Sequence, residues 1–286
     1  MQDTAVPIPG GSINVWYRAP GPGSITTVLL HGLTSTSRSF ADLITALPTE
    51  VGVVAIDVRG RGQSWLAPGP YDLPTVSDDI PRALDHLELD KAVVTGHSMG
   101  AWIAALAASR HPDRVISAVL VDGGLPVEVD RSLTPEQVMD AAVGPAVQRL
   151  ELEFDTPQAY LDWWRAHPSF VDTWPESMDD IRLYDIHEVD GKWVTRINKD
   201  AVWQAGGDTF LSEETETAWS RVGVPATIVT VERGMLNAPG GFIPSDLAEQ
   251  SARANPNLSV THIQDLNHYT VLHEHGAHTL AEVITS

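Results

Sequence analysis

The run Ala92-Val93-Val94-Thr95-Gly96-His97-Ser98-Met99-Gly100-Ala101 decides the fold. Its first four residues read as a strand buried on both faces. From Ala101 to Arg110 the apolar side chains fall at helical spacing. Between the two lies G-x-S-x-G, a serine at a sharp strand-to-helix turn. Such a turn strains the serine backbone, and glycines two residues to either side let the neighbouring chain segments close in. The hydroxyl is thereby pushed out of the sheet. The free N–H groups at the helix start, beginning with Met99, can then stabilise negative charge that develops beside it.

The same alternation extends in both directions. Thr26–Leu30, Val51–Ile56, Ala92–Thr95 and Val115–Val121 are short apolar runs, and the segments around Phe40–Leu47, Val76–Leu87 and Ala101–Arg110 have apolar residues three and four apart. This predicts an α/β fold, a mostly parallel sheet covered by crossover helices. The pattern stops after Asp122. It resumes with a strand at Pro225–Val231, a helix at Asp246–Ala254, a strand at Leu258–Ile263 and a last helix near Ala277–Ile284. We therefore expect a core of residues 1–125 and 221–286, with residues 126–220 inserted as a mainly helical lid.

Within the insertion, Thr134-Pro135-Glu136 and Thr156-Pro157-Gln158 read as helix starts with proline at the first helical position. Asp190-Gly191, between Asp185–Val189 and Lys192–Ile197, reads as a hairpin turn. Trp163, Trp164, Trp174, Trp193, Trp203 and Trp219 all fall here. They either fill the insertion's own core or face a ligand. Trp163, Trp164, Trp174 and Trp203, with Gly32 and Trp102 near the elbow, are the candidate substrate contacts.

Composition narrows the partners. The 286 residues hold 18 Lys and Arg against 38 Asp and Glu, a formal charge of −20, with no run of basic residues. Nucleic acid and anionic membrane surfaces would be repelled, so a small, neutral, rather hydrophobic partner is expected. The chain has no cysteine, which excludes disulfides and thiolate chemistry. Met1–Gly11 lacks a basic segment followed by an apolar run, and Ala101–Ala108 is too short to span a bilayer, so a soluble, cytoplasmic protein without a membrane span is expected. Its state as monomer or homo-oligomer is left open. His273-Glu274-His275-Gly276-Ala277-His278 is one residue longer than H-E-x-x-H, so its outer histidines would face different sides of a helix. Neither a metal nor a cofactor is expected.

Several motifs together resemble the α/β-hydrolase superfamily, over residues of about 12–125 and 222–284. His31-Gly32 resembles that family's H-G loop, which implies that the Leu33 N–H is a second oxyanion donor beside Met99. Asp57-Val58-Arg59-Gly60-Arg61-Gly62-Gln63-Ser64 is similar to its D-x-R-G-x-G-x-S turn, which implies a structural role. The resemblance implies an active site at the carboxyl ends of the strands and a variable lid at the insertion.

A serine hydroxyl needs a base, and the family's chain order points to His268 in Asp265-Leu266-Asn267-His268-Tyr269. His273, His275 and His278 are expected to be solvated, and His31 and His97 to shape the loop and the elbow. The acid departs from the commonest family pattern, because Gly234 stands where an Asp would follow the strand at Ala226–Val231. Asp122, at the end of the strand after the nucleophile helix, resembles the minority arrangement of many haloalkane dehalogenases and fungal-type zearalenone lactonases. Glu232 is the rival. A serine nucleophile favours acyl transfer to water, on a carboxylic ester or a lactone. A carbon–carbon bond hydrolase, a hydroxynitrile lyase and a slow hydrolase-like ligand receptor are the other readings that the fold allows.

Overall fold

The computed structural model describes residues 1–130 and 132–286, the side chains of Val143, Pro145 and Ala146 excepted. The chain opens with a hairpin, β1 (Gln2–Ile8) and β2 (Gly11–Arg18), paired antiparallel. The sequence reading had no strand there. Its signal is a short alternation that buries Val6, Ile8, Ile13 and Val15 while the intervening residues face out, joined at Gly10, whose φ of 80° favours glycine.

The alternating core follows as β3 (Thr26–Leu30), α1 (Ala41–Ala46), β4 (Gly52–Ile56), α2 (Leu73–Ser77), α3 (Asp79–His86), β5 (Ala92–His97), α4 (Met99–Arg110) and β6 (Val115–Val121). Every residue of β3, β4 and β5 is buried, as central parallel strands require. The predicted helix at Val76–Leu87 is two helices, because Asp78 closes α2 and precedes α3. Residues Met99 to Ala108 of α4 are all buried. Its alanines 101, 104, 105, 107 and 108 let it lie close to the sheet on one side and to other helices around it.

The insertion holds α5 (Pro135–Gln148), α6 (Pro157–Arg165), α7 (Met178–Tyr184), β7 (Ile186–Val189), β8 (Lys192–Thr195), α8 (Lys199–Leu211) and α9 (Glu213–Thr217). The proline-led starts of α5 and α6 stand as expected, and the Thr156 hydroxyl caps α6 by accepting the Ala159 N–H at 3.1 Å. Positive φ at both Asp190 (50°) and Gly191 (78°) makes the β7–β8 turn. The insertion's apolar residues divide in two. Phe154, Tyr160, Trp164, Phe170, Met178 and Ile186 form a cluster of their own, whereas Val138, Met139, Val202 and Ala205 join the main core.

The chain returns through β9 (Ala226–Arg233), α10 (Ser245–Ala254), β10 (Leu258–Asn267) and α11 (Glu274–Thr285). The eight-stranded sheet runs β1-β2-β4-β3-β5-β6-β9-β10, parallel from β4 onward. The carboxyl ends of β3, β5, β6 and β10 therefore meet on one side.

The Asp57–Ser64 turn pins that side. Asp57 accepts the N–H groups of Ser37 at 2.8 Å and Gln63 at 2.9 Å, and the Tyr184 hydroxyl of the insertion at 2.6 Å. Arg59 forms a two-pronged ion pair with Asp79 at 2.6 and 2.7 Å, both side chains 2% exposed. Removing one partner of a buried pair strands the other's charge. Asp79→Ala is expected to lower the free energy of unfolding by about 3–5 kcal/mol in urea titrations; a loss under about 1 kcal/mol, as for an exposed pair, would contradict this.

Candidate active site

The elbow's backbone follows from crowding. A Cβ on Gly96 would run into the Gly100 carbonyl, and one on Gly100 into the Leu30 carbonyl. With α4 pressed this close to the strands, the chain turns through Ser98 at φ 54°, ψ −127°, outside the regions that L residues favour. The Ser98 N–H donates to the Val121 carbonyl at 2.9 Å, which ties the turn to β6.

Asp122, the first residue past β6, is fully buried with φ 43°. Its Oδ2 lies 2.7 Å from His268 Nδ1. The carboxylate also accepts the N–H groups of Ile243 at 3.0 Å and Phe242 at 3.2 Å, which fix its orientation. Glu232 lies elsewhere. It is exposed, and its Oε2 accepts the Asp265 N–H at 2.8 Å, so it serves the loop ahead of His268.

Three features bring His268 over the sheet. β10 departs from regular pairing between Ile263 and Asn267, Asp265 takes φ 60°, and the His268 N–H donates to the Arg233 carbonyl at 3.0 Å. Asn267, which the sequence reading passed over, secures the loop. Its Oδ1 accepts the N–H groups of Tyr269 and Thr270 at 2.9 and 3.0 Å, and its Nδ2 donates to the Ser169 carbonyl of the insertion at 3.0 Å.

Ser98 and His268 line one cavity of about 60 Å³, together with Gly32, Leu33, Trp164 and Arg182. Their hydroxyl–imidazole hydrogen bond is not closed, a contact that often tightens only around substrate. With Nδ1–H donating to Asp122, Nε2 is left as the basic nitrogen. Gly32 keeps the approach to Ser98 open, because a Cβ there would stand 3.5 Å from Ser98 Oγ.

The two flanking histidines are structural, as expected. The Val58 N–H donates to His31 Nε2 at 3.0 Å, so His31 Nδ1 donates to the Gly32 carbonyl at 2.8 Å. Burial pushes the His31 pKa down to about 4, against the opposing pull of Asp57. His97 Nε2 donates to the His268 carbonyl at 2.7 Å, and burial followed by the nearby His268 holds its pKa well below the ordinary range. Arg61 holds the loop after β3. It is fully buried, its Nε donates to the Leu33 carbonyl at 3.0 Å, and its Nη2 reaches Met99 Sδ at 3.9 Å.

His273 departs from expectation. It is 3% exposed, lines the same cavity and pairs with Asp42 Oδ2 at 2.8 Å through Nδ1. A short helical turn at Thr270–Leu272 tucks it inward before α11 begins, while His275 and His278 are exposed as expected. The tryptophans also sort. Trp164 lines this cavity, and both Trp163 and Trp164 line a neighbouring one of about 370 Å³. Trp174 packs against the insertion's own cluster and donates to Asp179 at 2.8 Å. Trp102 and Trp203, like Trp174, line neither cavity: Trp102 is buried in the main core against Phe242, and Trp203 is exposed on α8.

An unfolded histidine titrates near pH 6.5 and His31 near pH 4 in the fold. The unfolded chain therefore binds the extra proton between these values, and His31 makes stability fall as pH drops from about 6.5 to about 4. Urea unfolding across that window is expected to show a shallower loss for His31→Gln than for wild type; equal slopes would contradict it.

Known proteins place this geometry. The chain is 30% identical over 151 residues, 53% of its length and 52% of the relative's, to 2-(acetamidomethylene)succinate hydrolase of Mesorhizobium japonicum. It is 27% identical over 262 residues, 90% of its length and 77% of the relative's, to sn-1-specific diacylglycerol lipase ABHD11 of Danio rerio. Against several curated relatives it spans only 30% to 52% of their length. Among solved structures, E-2-(acetamidomethylene)succinate hydrolase superposes with a TM-score of 0.80 at 24% identity, covering 99% of this chain and 97% of that one. The esterase of Exiguobacterium antarcticum superposes at 0.72 with 20% identity, covering 100% of both. The family model described as alpha/beta hydrolase fold matches residues 27–229, and with that sheet order and elbow the chain belongs to the α/β-hydrolase family.

Proposed function

We propose that this hydrolase cleaves a carboxylic ester, or its cyclic form a lactone, through an acyl-enzyme on Ser98. The observation that carries the reading is the buried 2.7 Å contact between Asp122 and His268 Nδ1 beside a serine held at positive φ. His268 Nε2 takes the hydroxyl proton as Ser98 Oγ bonds to the carbonyl carbon. Asp122 stabilises the imidazolium that results. The oxygen charge is received by the N–H groups of Leu33 and Met99, the latter at the start of α4. Collapse of the adduct expels the alcohol, which leaves with the proton from His268. Water then attacks the acyl-enzyme by the same route and releases the acid.

Residues 126–220 act in this reading as a cap over the site. Trp163 and Trp164 offer an apolar wall, by way of the cavity of about 370 Å³, to the hydrophobic part of the substrate. Two relatives named as lipases, beside one named as a hydrolase, support ester chemistry. No helix among the described residues is long and apolar enough to cross a membrane.

A panel of aryl esters, aliphatic esters and lactones tests the reading. Ser98→Ala is expected to abolish turnover while leaving the unfolding transition in place; near-native turnover would transfer the role elsewhere. Asp122→Asn is expected to lower kcat by about 10⁴, since it leaves the imidazole in the wrong tautomer. Glu232→Gln is expected to stay close to wild type, and the reverse ranking would reassign the acid.

A further inference from the structure

We propose that the substrate carries a carboxylate in addition to the scissile ester, and that Arg182 receives it. This rests on the ester-hydrolase reading and replaces the neutral substrate expected from composition. Arg182, on α7, is 4% exposed and lines the same small cavity as Ser98 and His268. Its guanidinium lies over the Trp164 ring, with Cζ 3.7 Å from the centroid. One nitrogen is engaged, Nη1 donating to Asp185 Oδ2 at 3.2 Å. The buried Nε has no hydrogen-bond partner.

Asp185 does not balance the local charge. It is 1% exposed and also accepts the hydroxyls of Thr36 at 3.0 Å and Tyr160 at 3.4 Å. A second buried guanidinium, Arg149, stands 5.0 Å from the centroid of the same Trp164 ring. Arg149 donates to the Tyr160 hydroxyl at 2.7 Å and the Thr34 carbonyl at 2.8 Å, and makes no ion pair among the described residues. Two arginines thus gather around the indole that lines both Ser98's cavity and its larger neighbour, and the one carboxylate there, Asp185, pairs with Arg182 and meets Arg149 only through the Tyr160 hydroxyl.

The excess positive field reaches the other groups there. His167, against Trp164, has its pKa pushed down to about 4, first by burial and then by Arg182 and Arg149, so it adds no charge near neutral pH. The Tyr269 hydroxyl is pushed up by burial and stays neutral as well. Burying a charge without a full complement is costly. A ligand carboxylate supplies that complement and suits the planar fork of arginine. The net charge of −20 opposes the approach of an anion at long range, but at physiological salt that field decays over about 8 Å. Inside the cavity the arginines decide. Because Arg182 and Ser98 line the same cavity, the carboxylate and the scissile ester belong to one small substrate.

The test compares the p-nitrophenyl monoester of adipic acid with the same compound carrying a methyl ester at the far carboxyl, on wild-type protein. The free acid is expected to show kcat/KM about tenfold or more above its methyl ester. Arg182→Gln is expected to remove most of that preference, with Arg182→Lys between the two. A separate arm measures adipate binding to Ser98→Ala by calorimetry, where binding is expected and is lost on adding Arg182→Gln. If wild type turns over both esters equally, the anion site is wrong while the ester-hydrolase reading stands. If neither ester is turned over but adipate binds through Arg182, the anion site stands and the ester reading fails. A preference for the free acid that survives Arg182→Gln overturns the role of Arg182.

Discussion

The close approach of α4 to β3 and β5 is the constraint from which the site follows. Two glycines have no room for a side chain, and a third, Gly123, would meet the Ser98 carbonyl if it carried a Cβ. The left-handed φ at Ser98 costs roughly 1–3 kcal/mol. Burial of Trp102, Ile103 and Leu106 on the same helix, at about 1.5–3 kcal/mol for a large apolar side chain, offsets it. One packing decision thus lifts the hydroxyl out of the sheet, starts a helix N-terminus beneath it, and brings the end of β6 within reach of His268.

How much of this was legible in the sequence depended on what fixes each element. The central strands were, because burial on both faces writes an uninterrupted apolar run. Motif position offered Ser98 and His268 as candidates, yet the choice between Asp122 and Glu232 needed geometry: Asp122 follows β6, Glu232 lies near the end of the neighbouring β9, and only Asp122 has its carboxylate on the imidazole. The N-terminal hairpin was missed because an edge pair with one buried face leaves only a few buried positions to read. His273 was misjudged because the short turn before α11 is set by tertiary packing. Trp203 and Trp102 line neither cavity, a placement the sequence does not carry, since it shows tryptophans without saying which way a helix turns them.

The arginines show how an acidic protein houses cations in its interior. Arg59 is matched by Asp79 in a two-pronged pair, a local answer to the cost of burial. Arg61 is held instead by the carbonyls of Leu33, Arg59 and Ala201, and burial lowers its pKa to about 9. It braces the Leu33 loop against the start of α4. Arg149 and Arg182 are distinct from both, since they gather around Trp164 at the wall of the reaction cavity with a single carboxylate between them. None of these roles is visible in charge totals, because the interior arginines are few against an acidic exterior.

The union of hydroxyl, imidazole and buried carboxylate is tested most directly by covalent trapping. Wild-type protein and His268→Ala are treated with an alkyl fluorophosphonate, and the adduct is timed and located by peptide mass spectrometry. If His268 activates Ser98, wild type acquires one phosphonyl group on the peptide containing Ser98, and the rate collapses in His268→Ala. An adduct on another residue, or an unchanged rate without His268, contradicts the assignment.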